Sequence, residues 1–247
     1  MQAGDYAYSG VGQVFLREVG AAAAMLPIGN VSKLSFGVSE DVKEQKDYTA
    51  IGGGTVAEVR RINSVECSMT LLDLDKGNIA RAFLGTAANV AGAAITGEVQ
   101  IGYKGGLLML AKPIDTTAAV VVKQGATTYV AGTDYEVQSG GILVLESGAI
   151  LDGTVLSVDY QSLDHANVEA ITTNAKEYEL YFAGMNEAKG GRPVNVHAYR
   201  VKLGPTAALD LLNDDFASFE VKGKLLRDNT KQGAGVSKYF RVQIAGN

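Results

Sequence analysis

Apolar and polar residues alternate with a period of two along most of this chain. That spacing sets one face of a β-strand against a core and the other toward water. Between Lys33 and Glu44 the even positions Leu34, Phe36, Val38 and Val42 are apolar, and Lys33, Ser35, Ser39, Asp41 and Lys43 alternate with them. Asn63 to Leu72 repeats the pattern, with Val65, Cys67, Met69 and Leu71 inward and Ser64, Glu66, Ser68 and Thr70 outward. Tyr178, Leu180 and Phe182 share a face. So do Phe219, Val221 and Leu225, opposite Glu220, Lys222 and Lys224, and so do Phe240, Val242 and Ile244. From Val194 to Leu203 the apolar phase slips between Ala198 and Val201, which predicts a bulge.

One segment has a clear helical period. In LDLDKGNIARAFLGT, Asp75 can cap the amino end and Ile79, Ala82 and Phe83 form a stripe. Gly85 suits a left-handed carboxyl cap. A weaker helical turn is expected in TAALDLLNDDF, Thr206 to Phe216, after Pro205.

The middle of the chain reads as its own unit. Short apolar runs at 118–122, 127–130, 134–137, 142–145 and 154–160 are separated by Gly-containing turns, which predicts a small β-sandwich. The expected organisation is a main domain of residues 1–111 and 163–247, interrupted by an inserted domain at 112–162.

Charge supports the division. The chain has 247 residues and a net charge of −5. From Pro113 to Tyr160 there are six acids (Asp115, Asp134, Glu136, Glu146, Asp152 and Asp159) against the single base Lys123, so the remainder is balanced. A net acidic chain argues against a basic nucleic-acid clamp. The single cysteine, Cys67, excludes an intrachain disulfide. No basic-then-apolar leader opens the sequence, and the run AAAAMLPI is too short to span a bilayer, so a soluble protein made in the cytoplasm is expected.

No catalytic constellation emerges. His165 beside Asp164 reads as a solvated pair, because adjacent side chains rarely face each other. His197, within a strand, has no partner at metal-ligand spacing. Cys67 reads as a buried small hydrophobe rather than a nucleophile. Arg60-Arg61, Lys222, Lys224 and Arg227 lack interleaved aromatics and lie near Glu58, Glu220 and Asp228, which suits salted strand faces better than a nucleic-acid reader. Gly52-Gly53-Gly54 is not followed by Lys-Ser/Thr, and the pattern after it is a strand. A phosphate cradle needs a helix amino terminus, so the triplet reads as a flexible segment between strands. No cofactor or metal is expected.

Several segments, in order, resemble the major tail tube proteins of long-tailed (siphovirus-like) bacteriophages. They are GNVSKLSFGVSEDVKEQKDY (29–48), GGGTVAEVRRINSVECSMTLLDLDKGNIARAFLG (52–85), EVQIGYKGGLLML (98–110), EYELYFAGMNEAKGGRPVNVHAYRVKL (177–203) and FASFEVKGKLLRDNT (216–230). The acidic insert resembles the immunoglobulin-like inserts of phage tail proteins. The resemblance implies a mainly β fold: a tail-tube-type β-sandwich or barrel with a short flanking helix and an inserted small β-sandwich domain. It implies a non-enzymatic virion protein, made in the host cytoplasm, whose hexameric rings stack into a non-contractile tail tube. Implied partners are further copies of the chain, the tape measure, tail terminator and distal tail proteins, and double-stranded DNA passing non-specifically through the lumen, with no membrane. It also implies that Gln45 to Arg60 grips the adjacent ring. Tyr48, Ile51 and Val56 would then supply apolar contact, Gly52, Gly53 and Gly54 freedom, and Arg60 with Arg61 charge. A secretion-system-type tube protein or a surface adhesin subunit are the alternatives.

Overall fold

The computed structural model describes residues 7–49, 51–212 and 214–245. The chain is mainly β and divides into two compact units, one of residues 1–87 with 168–247 and the other of residues 88–167. The first begins with β1 (Gly10–Glu18), β2 (Leu26–Pro27), β3 (Val31–Lys46), β4 (Thr55–Leu71) and the short helix α1 (Lys76–Ala82). The chain leaves through β5 (Thr86–Val90). The second unit follows, with β6 (Ala94–Gly102), β7 (Leu107–Leu108), β8 (Val121–Gln124), β9 (Thr127–Thr128), β10 (Tyr135–Gln138), β11 (Gly141–Val144) and β12 (Thr154–Gln161). The return strand β13 (His165–Glu169) pairs with β5 as a separate ribbon. β14 (Glu177–Asn186), β15 (Arg192–Leu203), β16 (Phe219–Leu225) and β17 (Phe240–Ile244) complete the first unit.

The first unit is one sheet in the order β2-β1-β14-β15-β16-β4-β3, with β17 on the part of β15 that β16 leaves uncovered. The sheet curls on itself, because strands from both ends of this order feed one core. Val14 and Leu16 of β1 pack with Val65, Cys67 and Met69 of β4, with Leu180, Val201 and Val221, and with Leu34 and Phe36 of β3. Phe36 stacks on Phe240 of β17, ring centroids 5.2 Å apart. The phase slip in β15 is a bulge: Tyr178 pairs with Val201 but Leu180 with Ala198, so Tyr199 and Arg200 oppose Glu179 alone.

α1 starts as its sequence requires, the Asp75 carboxylate accepting from the Gly77 and Asn78 amides. Its end differs from expectation. Leu84, not Gly85, takes the left-handed conformation. A side chain at Gly85 would meet the backbone of Glu169, so that glycine serves close approach rather than a cap. The buried Asn78, unmarked by any periodicity, donates to the carbonyls of Ile28 (2.8 Å) and Asp73 (3.1 Å). The helical turn expected over Thr206 to Phe216 does not form in its described residues, which are irregular; Asn213 lies outside them.

The second unit packs the sheet β6-β12-β8-β9 against β10-β11-β7 around Val122, Tyr135, Ile142, Val144, Leu156 and Val158. The expected boundary at residue 112 is corrected here. β6 pairs with β12 from Gly102–Thr154 to Ala94–Gln161, and β7 pairs with β11, so the stretch 98–110 belongs to this unit and not to the first. Alternation in β6 shows only that one face is buried, not against which partner. Local polar groups pin the loops. Asp134 accepts from the amides of Val130 and Ala149, both at 2.8 Å, which holds its carboxyl below the usual range. Glu98 accepts from the Tyr160 hydroxyl at 2.7 Å; burial, reinforced by this carboxylate, pushes the phenol up to about 12.

Replacing residues 88–167 by a short linker should leave the first unit folded, with its own cooperative melting transition. Removing only 115–160 should strand β6 and β7 without partners and cause aggregation, as size-exclusion chromatography would reveal. Asp134 has a depressed folded pKa, so its stabilisation is present above the unfolded value near 3.9 and fades as pH falls through the lower folded value. Asp134→Asn should therefore lower the melting temperature at neutral pH and flatten its decline below about pH 4.

Candidate assembly interface on a hairpin arm

β3 and β4 pair from Val31–Leu71 to Lys46–Thr55, but only part of this ribbon has a third strand. β16 pairs with β4 from Leu71 to Val65 and stops there, at Leu225. Beyond that point, among the described residues, 39–46 and 55–64 pair only with each other. The result is a two-stranded arm roughly 25 Å long at about 3.3 Å per residue.

Its residues follow from this isolation. Val65, Cys67, Met69 and Leu71 are buried, whereas every residue from Thr55 to Asn63 is exposed. Val38 and Val42, expected inward from their phase, are exposed as well, since no layer faces them. A bulge at Asn63 shifts the phase of β4, so Ile62, Arg60 and Glu58 stand opposite Glu40, Val42 and Glu44. Apolar side chains thus lie on an open surface between charges of both signs.

Local hydrogen bonds shape the described residues of the tip. Asp47 accepts from the Thr49 hydroxyl (2.5 Å) and amide (2.7 Å), and these bonds hold its carboxyl below the usual range. The Asp47 amide donates to Gly54 O at 2.8 Å. Gly52 is left-handed, at φ 79°, which accounts for a glycine at this turn. Tyr48 is 90% exposed and Ile51 fully so. The glycine triplet leads into β4, which leaves no helix amino terminus for a phosphate.

The residues expected to form a contact all lie on this arm, Val56, Arg60 and Arg61 on β4 and the others at its tip. Arg60 is already engaged: it pairs with Glu58 and stands 3.5 Å from Glu40, and these neighbours raise its pKa. Arg61 stands opposite Asp41. Ala50 lies outside the described residues.

Other candidate chemistry resolves into structure. Cys67 is buried, and burial pushes its thiol up to about 12, which leaves no thiolate at neutral pH. His165 Nδ1 lies 2.9 Å from Leu163 O, while Asp164 accepts from the Gly92 amide, so the adjacent pair does not act together. His197 has a partner that sequence spacing did not reveal, because pairing across β14 and β15 supplies it. Its Nε2 lies 2.6 Å from Glu179 Oε1, and Glu179 also binds Arg17. Burial acts to raise the Glu179 pKa, but the bonds from Arg17 and His197 outweigh it and hold the carboxyl low. Among the described residues no group of three or more His, Cys, Asp or Glu could hold a metal ion, and no helix is long and apolar enough to cross a membrane.

No curated protein matches this sequence. A family described as "Protein of unknown function UCP028589" matches residues 7–243, nearly the whole chain, and the protein belongs to that family.

Proposed function

We propose that this protein is a structural, non-enzymatic subunit of a phage tail tube, and that copies of it form hexameric rings stacked into the conduit for DNA ejection. The observation that carries this reading is the arm. A two-stranded ribbon is marginal by itself in water. This one also exposes Val42, Val56, Val59 and Ile62 along its strands and Tyr48 and Ile51 at its tip. Such a ribbon gains stability when a neighbouring surface covers it, and a repeating subunit offers the same surface on every copy. The ordered resemblance to tail tube proteins supports the same conclusion.

In this reading the arm of one ring grips the next. Ordering the tip costs about 1–2 kcal/mol per residue fixed, offset by burial of Tyr48 and Ile51 and by charge contacts of Arg61. The immunoglobulin-like insert, residues 88–167, decorates the tube. Tape measure, terminator and distal tail proteins complete a non-contractile virion tail. A conduit should not hold DNA, because each phosphate contact would act as a brake. The mixed-sign strand faces suit passage better than a basic groove would.

Electron microscopy of the purified protein should find six-fold rings or tubes. Tyr48→Ala with Ile51→Ala should shift monomer stability by no more than about 0.5 kcal/mol, since both side chains are solvated, yet shorten or abolish tubes. Amides of the arm should exchange rapidly in the monomer and slowly in the tube. Tubes of normal length from the double variant, or equal exchange in both states, would overturn the role of the arm; a strict monomer at every concentration would overturn the tube itself.

A further inference from the structure

The outer face of β3, β4, β16 and β15 carries a trough of about 560 Å³. Its floor is made of small residues, Gly37, Ser68 and Gly204, and Lys202, Lys222 and Lys224 line it. These lysines alternate with the buried Val201, Leu203, Val221 and Leu225, so they point away from the core. Their arrangement is electrostatically unfavourable. Lys202 stands directly opposite Lys224 in the β15–β16 register, and like charges so placed repel. Glu66 is opposite Lys224 on the other side but accepts from the Ser64 hydroxyl, while Glu220 is 3.0 Å from Lys222. Across β14, Glu177 stands opposite Lys202 but is already bound by Arg200, so the three ammonium groups are left with Glu66 and Glu220.

The complementary chemistry lies on the same chain. The loop between β15 and β16 is anchored at its base, where the Thr206 amide donates to Ala82 O at 2.7 Å and Leu209 packs on the core. Past this anchor come Asp210, Leu211 and Leu212, then Asp214, Asp215 and Phe216. The loop has three carboxylates and no base. Leu212 and Phe216 are almost wholly exposed, at 96% and 99%.

We propose that the lysine trough receives this acidic, apolar loop from a second copy of the chain. Isolated carboxylates would meet Lys202 and Lys224, and the Gly and Ser floor leaves room for a large apolar side chain beside them. A polyphosphate fits less well, because Glu66 and Glu220 on the same face would repel it. Trough and loop are different surfaces, so the contact is heterologous and generates a ring or a filament. The proposal rests on the self-assembly reading above and names the surfaces that meet within it.

The test uses two full-length variants, Lys202→Glu with Lys224→Glu, and Asp214→Lys with Asp215→Lys, followed by sedimentation velocity across concentration and salt. Wild-type association should weaken with salt. Each variant should melt like wild type yet need about tenfold more protein to associate, a loss of about 1.4 kcal/mol. An equimolar mixture should recover association, since each trough then has an oppositely charged loop. Leu212→Ser with Phe216→Ser, which leaves every charge in place, should weaken association too. If wild type associates and the charge variants match it, this contact is wrong while assembly stands. If wild type is strictly monomeric, the assembly reading fails and takes this contact with it. If the trough variant associates normally but loses retention of a double-stranded DNA fragment, the trough is a polyanion site and the proposal is overturned.

Discussion

The division of β4 between core and solvent organises the first unit. From Val65 to Leu71 the strand has a neighbour on each side, β3 and β16, and one of its faces is dry. From Thr55 to Asn63 it has β3 alone and both faces are wet. The change falls where β16 ends at Leu225, opposite Val65. A strand gains most of its stability from packing against other layers rather than from its own ladder, so the loss of one neighbour converts a core element into an appendage. The β3–β4 ladder continues past this point, with a register shift at Asn63. The rigid half therefore aims the exposed half, and the bulge at Asn63 sets which side chains share a face.

The second unit reaches stability by another route. Its strands are short, and much of its chain is turn. It compensates with a dense aliphatic centre of Val122, Ile142, Val144, Ile150 and Val158, all fully buried. Carboxylates tie loops back to that centre. Asp134 joins two separate backbone segments, and Asp159 receives Lys123 Nζ and the Gly97 amide, both at 2.7 Å. Much of the negative charge of this unit is therefore structural, spent on amides and one lysine, rather than a field directed at a partner.

The strands of the first unit were largely legible in the sequence because period two is a local signal. Leu34 and Phe36, Val65 to Leu71, and Phe219 to Leu225 announce themselves by alternation. What lies opposite an alternating face is a long-range fact. Val38 and Val42 continue the inward phase yet have nothing to pack against. β6 has the same appearance whichever unit it joins. The candidate interface was legible as a place, through the glycines and exposed apolar residues of 48–56, but not as a shape. The strand after the glycines and the nearness of Glu58 to Arg60 are local signals, but nothing local says that this strand runs on past the end of β16. The spacing around His197 offers no metal-ligand partner, and Glu179, 18 residues away, becomes a contact only through the β14–β15 register. The Asp75 cap was correct because a cap is decided within four residues.

The ribbon of β5 and β13 has an evolutionary consequence. The chain departs from the first unit and rejoins it on paired strands, and paired strands lie about 5 Å apart. To the first unit, then, residues 88–167 are topologically a loop whose two ends lie on paired strands. Recombination at this site could remove that segment, or graft another compact module in its place, without altering the strand order of the host sheet. A lineage carrying this chain could thus exchange its ornament while conserving its scaffold, and selection could act on the two at different rates.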